Sequence, residues 1–249
     1  MGKIFHYTEI DSTNNKAKQL GQEGAEHGSL VTADRQTNGR GRRGRTWISE
    51  ESDNIYMSLL LRPQFAPDKA PMLTLVMAYS TVLALKKCTG LDTQIKWPND
   101  IVWEGRKLVG ILTEMSLKGC EIDYVVVGVG VNVNTEHFPE EVEKTAVSIC
   151  LATGKKWDRQ ILIKEIVNEF ERIYNLFVQT EDLSCIQEEY NALLVNCGRE
   201  VCILGEKESY QAKALGINTH GELIVQREDG TKESVYAGEV SVRGVYGYV

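Results

Sequence analysis

The run from Tyr124 to Asn134 constrains the fold more than any other stretch of the chain. Side chains alternate between the two faces of a strand. Val125, Val127, Val129, Val131 and Val133 therefore share one face, a continuous apolar strip that helices must cover. Val126, Gly128, Gly130, Asn132 and Asn134 share the other. Two glycines and two asparagines leave a shallow slot with polar ends, and Gly110 on the preceding strand extends it. Glycine weakens a strand, so it marks the close approach of a ligand or another backbone. A helix packed over the glycines is the alternative reading, and it explains the asparagines less well.

A second stretch has the opposite character. Gly39-Arg40-Gly41-Arg42-Arg43-Gly44-Arg45-Thr46-Trp47 carries four arginines and three glycines with no acid, in a chain of formal net charge -7. A cationic segment on an anionic chain is a local device. Its glycines spoil helix and strand alike, which predicts a mobile loop. Guanidinium forks match phosphate oxygens, and Trp47 offers an aromatic face to a flat ring. An RNA-binding segment of the Gly-Arg kind is the rival reading. The acidic composition and the lack of a wider basic surface count against it.

A chain of 249 residues has room for one large domain and a small one. The six cysteines are scattered, with no Cys-x-x-Cys pair. That favours reduced thiols and a cytoplasmic location over disulfides or a zinc site. No leading apolar region and no run of membrane-spanning length occur.

Taken in order, residues 3–7 read as a strand. A helix is expected from Asn15 to Gln22, capped by Ser12 or Thr13 and stopped near Gly24. Asn14 sits at the same start, where spare N–H groups face an acceptor. Ser29 to Gln36 reads as a strand feeding the Gly-Arg segment, with Gln36 able to hold a polar head. Asn54 to Arg62 reads as a buried strand ended by Pro63, and Ala70 to Lys87 as a core helix. Lys96-Trp97-Pro98-Asn99-Asp100 must turn, because proline cannot continue a ladder. A hairpin at Glu104-Gly105-Arg106 leads into a strand from Lys107 to Glu114. Lys96 and Lys107 are expected on neighbouring strands, where two lysines with Asp100 suit phosphate and carboxylate chemistry. Helices from Asp158 to Val178 and Leu183 to Leu194 should cover one face of the sheet. Beyond Asn196, short β-like runs alternate with turns, which predicts a small β-barrel of about fifty residues.

Four motifs occur in this order: Gly39–Trp47, Lys96-Trp97-Pro98-Asn99-Asp100, Lys107-Leu108-Val109-Gly110-Ile111-Leu112 and Val127-Gly128-Val129-Gly130-Val131-Asn132. Together they resemble the biotin protein ligases (holocarboxylase synthetases). The resemblance implies an α+β fold with a mixed, helix-covered sheet of the class II synthetase-like biotin/lipoate ligase kind. The catalytic domain would occupy residues 1–196 and an SH3-like barrel 197–249. It implies the ligase-only type, without a DNA-binding domain. The implied reaction forms biotinyl-5′-AMP from biotin and MgATP, then passes biotin to a lysine of a biotin carboxyl carrier domain. Ser12, Thr13, Asn14 and Gln36 match positions around the biotin head. Arg40, Gly41 and Arg42 match the loop that folds over ligand, and Gly110, Gly128 and Gly130 the floor of the slot. Lys107 matches the lysine at the reacting oxygens, with Arg42 and Asp100 as its catalytic companions. Trp47 and Asn132 match positions around the adenylate, and Arg40, Arg42, Arg45, Lys96 and Asn99 are assigned there too. The magnesium ligands are not assigned, and a homodimer is compatible with the sequence. A lipoate–protein ligase, with the same adenylate chemistry, is the nearest rival.

Overall fold

The computed structural model describes residues 2–47, 53–205, 209–237, 241–244 and 248–249. In chain order the first half runs β1 (Ile4–Ile10), α1 (Thr13–Gln22), β2 (Ser29–Gln36), β3 (Ile55–Leu61), α2 (Leu73–Thr89), β4 (Gln94–Lys96), β5 (Asp100–Trp103), β6 (Arg106–Lys118) and β7 (Glu121–Val131). Four helices follow: α3 (Glu140–Glu143), α4 (Ile149–Thr153), α5 (Arg159–Thr180) and α6 (Gln187–Leu193). The last strands are β8 (Glu200–Leu204), β9 (Ser209–Ile217), β10 (Leu223–Gln226), β11 (Lys232–Val235) and β12 (Ser241–Gly244).

Seven strands form one mixed sheet in the order β1-β2-β3-β7-β6-β5-β4. Only β1 and β2 run parallel, joined by the crossover helix α1. The alternating run is central, as its two-sided burial requires. Val125, Val127, Val129, Val131 and Val133 enter the main core with α2 and α5. Val126 faces the other way, into a smaller cluster under α1 with Ala17, Leu20, Val31, Leu60 and Tyr124. Each large side chain sealed in these clusters, such as Phe170 or Phe177, contributes about 1.5–3 kcal/mol.

Element boundaries differ from the sequence reading for local reasons. The expected helix from Ala70 begins as a 3-10 turn (Pro67–Met72), and the α-helix starts at Leu73. Pro71 has no N–H to donate and resists continuation toward its own N-terminal side. Gly90, in the left-handed region at φ 76°, ends this helix. β7 stops at Val131: Asn132 N–H still donates to Leu108 O on β6 (3.0 Å), but Val133 N–H turns to Asn54 Oδ1 (2.7 Å) and the Asn132 and Val133 carbonyls accept from Ile149 and Cys150. Asp158 caps α5 as expected, its side chain accepting from Gln160 N–H at 2.7 Å.

The C-terminal strands form a five-stranded antiparallel sheet, order β11-β10-β9-β8-β12. Among the described residues no ladder joins β11 to β12 to close it as a barrel. Parts of the β-like region expected beyond Asn196 (residues 206–208, 238–240 and 245–247) lie outside the described residues. Val201, Ile203, Ala212, Leu223 and Val225 of this sheet belong to the same core cluster as α2, α5 and β7.

Candidate active site

The cleft is built on the face of the main sheet that α1 only partly covers. Its polar end forms where α1 begins. Gln36 Oε1 accepts from Thr13 N–H (2.8 Å) and from Thr13 Oγ1 (3.1 Å). Gln36 on β2 thus caps α1, whereas Ser12 makes no side-chain cap and instead lines the cleft. This acceptor lets the helix start at Thr13, two residues before the expected Asn15. Ser58 Oγ donates to Asn14 Oδ1 (2.6 Å) and lies 2.8 Å from Thr13 Oγ1. Asn14 Nδ2 donates to Leu112 O (3.2 Å) and Glu114 Oε2 (2.9 Å). The group is buried and cross-linked, so its geometry is set before any ligand arrives.

The glycine slot exists, and side chains of the protein come close over it. Gly110 and Gly130 are cross-strand partners on β6 and β7. A Cβ on either would come within 2.6 Å of the Trp47 indole. A Cβ on Gly128 would meet Asn14 Oδ1 at 2.0 Å. The glycines therefore admit two side chains of the protein itself: Trp47 covers Gly110 and Gly130, and Asn14 from the first turn of α1 covers Gly128. Asn132 and Asn134 also stitch neighbouring loops in place. Asn132 Nδ2 donates to Val147 O (3.2 Å), and Asn134 pairs through its amide with the backbone of Trp157.

The Gly-Arg segment is not a featureless coil. Arg40 and Thr46 form a bridge, Gly41 N–H donates to Arg45 O (2.7 Å), and Trp47 N–H to Gly39 O (2.9 Å). Arg43 (φ 56°) and Gly44 (φ 73°) take the left-handed turn. Arg40 pairs with Glu114 (3.0 Å) and donates to Asn15 Oδ1 (3.0 Å). Arg42 donates to Asn99 Oδ1 (3.0 Å) and to Ala237 O. Burial lowers the Arg42 pKa, with the Asp100 charge opposing. All four arginines of the segment line the cleft, and Arg40 and Arg42 are tethered there by side-chain bonds, which is not how a strip for RNA is laid out.

Lys96 and Lys107 are not on neighbouring strands. β5 lies between β4 and β6 and presents Asp100 between the two lysines. Asp100 Oδ1 pairs with Lys107 Nζ at 2.7 Å, and Oδ2 accepts from the Tyr248 hydroxyl at 2.5 Å. Burial alone would raise the Asp100 pKa. The Lys107 charge, hydrogen bonds from Lys107 and Tyr248, and the Lys96 charge outweigh it and hold the carboxyl below its ordinary value. Lys96 is buried, which pushes its pKa down to about 8 against the pull of Asp100. Its ammonium lies 3.8 Å from the centre of the Tyr248 ring.

Every residue assigned to the site from the sequence, except Asn132, lines one cavity. Asn132 lines a second, adjacent cavity, walled by Asn54, Thr135, His137, Phe138, Pro139, Val142 and Ala146. Thr46, Trp47, Tyr56 and Lys107 border both. The wall of the second cavity is pinned at Lys107, whose N–H donates to Thr145 O (2.7 Å) and whose C=O accepts from Val147 (2.9 Å). Sequence reasoning missed this wall, and also Tyr56, Ser58, Glu114 and Tyr248. Tyr56 and Ser58 could have been found from strand pairing, since they sit opposite Gly130 and Gly128. Glu114 and Tyr248 carry no local signal. A resident magnesium site does not fit: among the described residues no three acidic, His or Cys side chains converge. The oxygens of Asp100 are engaged by Lys107, Asn99 and Tyr248.

A mixed sheet with α2 and α5 on one face, and on the other, beside α1, a cationic cleft of two chambers meeting at one lysine, defines a two-substrate ligase. The chain belongs to the biotin/lipoate A/B protein ligase family, whose pattern matches residues 7–132, while the biotin protein ligase C-terminal domain matches residues 197–243. It is 37% identical to the bifunctional ligase/repressor BirA of Bacillus spizizenii over 97% of this chain and 75% of that protein. It is 32% identical to the biotin–[acetyl-CoA-carboxylase] ligase of Paracoccus denitrificans over 94% of this chain and 98% of the relative. A solved structure of the Aquifex aeolicus biotin protein ligase in complex with biotin and ATP superposes with a TM-score of 0.85 at 30% identity. That match covers 98% of this chain and all of the other.

Proposed function

We propose that this protein is an ATP-dependent biotin–protein ligase. In the first step a biotin carboxylate oxygen attacks the α-phosphorus of ATP, the bond to the β-phosphate oxygen breaks, and pyrophosphate leaves. In the second, the neutral amine of a carrier-domain lysine attacks the acyl carbon. The C–O bond to AMP breaks, and the amine proton is lost. The observation that carries this reading is the position of Lys107 at the border of both chambers. Two anions must meet there, and a fixed cation offsets their repulsion.

Biotin takes the first chamber, its head at Ser12, Thr13, Asn14 and Gln36 and its ring system beside Gly128 and Trp47. Adenosine takes the second, with Trp47 and Phe138 as aromatic walls and Asn132 at its edge. Arg40, Gly41, Arg42, Arg45, Lys96 and Asn99 surround the phosphate path, and Gly110 and Gly130 seat Trp47. Magnesium would come bound to the ATP phosphates and would neutralise part of their charge, since the donor set offers no cage of its own. Asp100 is held as a strong anion, so it suits orienting the acceptor amine better than removing its proton. Residues 1–196 form the catalytic domain and 197–249 an accessory domain. The acceptor is the biotin carrier domain of a carboxylase, and six free cysteines suit work in the cytoplasm.

The test is pyrophosphate–ATP exchange dependent on biotin, followed by mass spectrometry of a carrier domain incubated with the enzyme. Exchange with biotin and a biotinyl adduct on one lysine are expected. Exchange with lipoate but not biotin would assign the rival reaction of the same family. No exchange with either would overturn the reading.

A further inference from the structure

We propose that Tyr248 is a positioning residue for adenylation: its hydroxyl fixes the Asp100 carboxylate, which in turn fixes the Lys107 ammonium. The proposal rests on the biotin-ligase reading above. It gives a role to a segment far in sequence from every motif and outside the matched C-terminal domain, which ends at residue 243.

The geometry is a relay of three side chains. The Tyr248 hydroxyl donates to Asp100 Oδ2 at 2.5 Å, and Asp100 Oδ1 holds Lys107 Nζ at 2.7 Å. Asn99 Nδ2 adds a bond to the same Oδ1 at 3.1 Å. With both oxygens engaged, the carboxylate has one orientation, and Lys107 is drawn to one place at the border of the chambers. The Tyr248 ring does a second job, lying against the Lys96 ammonium at 3.8 Å. The seat of this segment is built into the fold. Next to Tyr248, Val249 packs where two glycines leave room. A Cβ on Gly105 would meet Val249 Cγ2 at 3.2 Å, and one on Gly244 would collide with Val249 O at 2.1 Å. Gly105 turns the β5–β6 hairpin, so the segment clasps the strands that carry Asp100 and Lys107.

Tyrosine suits the task better than a carboxyl or ammonium group would. Burial and the neighbouring Asp100 charge raise its pKa, so it stays a donor at every working pH. The charged groups facing Asp100 are Lys96 from β4, Lys107 from β6 and Arg42 from the Gly-Arg segment. Arg45 and Arg243 face the Tyr248 side of the cluster. Asp100 is the carboxylate of this cluster, so its protonation contributes an acid limb to the rate.

Tyr248→Phe in the full chain keeps the ring and deletes only the hydroxyl. Biotin-dependent pyrophosphate exchange is measured against pH beside wild type, with biotin affinity by calorimetry. The expected kcat is about tenfold lower, with biotin affinity within about twofold. The acid limb moves up by about one pH unit, because a donor to the charged carboxylate is gone. Wild-type behaviour, or a uniform loss that follows the folded fraction with an unmoved limb, would overturn the proposal. A stability cycle with Asp100→Asn reads the same link without activity. Tyr248→Phe should cost less in the Asp100→Asn background than in wild type, and an equal cost in both would overturn it. A wild type without exchange would count instead against the proposed reaction, and the cycle would still decide the Tyr248–Asp100 link.

Discussion

Lys107 and Lys96 are both cleft lysines, yet burial sets them different tasks. Lys107 keeps a partner at 2.7 Å and borders both chambers. Lys107→Ala should lower biotin-dependent exchange at least about a hundredfold, the usual effect of removing a preorganised charge-stabilising donor. It should also cost about 1–3 kcal/mol of stability, because Asp100 loses a partner while staying mostly buried. A denaturant melt beside the exchange assay checks both, and near-wild-type exchange would remove Lys107 from the centre. Lys96 titrates inside the experimental range. Its pKa of about 8 in the free protein means that its charge is present below that pH and lost above it. The kcat/KM for ATP, which reports the free enzyme, should therefore fall as pH passes about 8. In Lys96→Arg that limb should vanish, because guanidinium stays charged. A limb still at the same pH would assign it to another group. Both lysines were legible in the sequence, since each stands in a short motif beside glycine or proline. Tyr248 was not, because the partner that gives it meaning is 148 positions away.

At the level of elements, β7 was the most legible part of the chain, and its alternation assigned both faces correctly. What covers those faces was not legible, because a glycine records that something comes close without saying what. Here it is Trp47, delivered by a turn that the glycines and arginines of 39–45 allow and that the Arg40 and Arg42 tethers hold in place. Those tethers reach Asn15, Glu114, Asn99 and Ala237, all distant in sequence, so a reading of local composition could only give a coil. Gly130→Val tests this arrangement. Its Cβ would meet Trp47 Cε2 at 2.6 Å, on the cleft side of the sheet and away from the main core. Stability should change by less than the roughly 1–3 kcal/mol of core overpacking. Biotin affinity should fall at least tenfold, about 1.4 kcal/mol, as the indole is pushed into the ligand space. Calorimetric titration and tryptophan fluorescence together check it. A destabilised mutant that binds biotin normally would show the glycine to be structural only.

At the level of the molecule, the two sheets share a core, and the second contributes directly to the cleft. The Trp97 indole N–H donates to Gly221 O (3.0 Å), Arg42 reaches Ala237 O, and Tyr248 reaches Asp100. Residues of β8, β9 and β10 pack in the same cluster as α2 and α5. The sequence marked the change of texture after Asn196 and most of the strands beyond it. It could not reveal the continuity of the core, which depends on how the two sheets meet. The chain should unfold in one cooperative step, with far-UV circular dichroism and tryptophan fluorescence coinciding along a urea titration. Two separated transitions would show the sheets to be independent units. The wide spread of the cleft along the chain also bears on how the protein is made. Positions from Ser12 to Tyr248 contribute to the first chamber. A ribosome-bound chain therefore holds no finished cleft until Tyr248 has left the exit tunnel, so the order of synthesis leaves the site to be completed last.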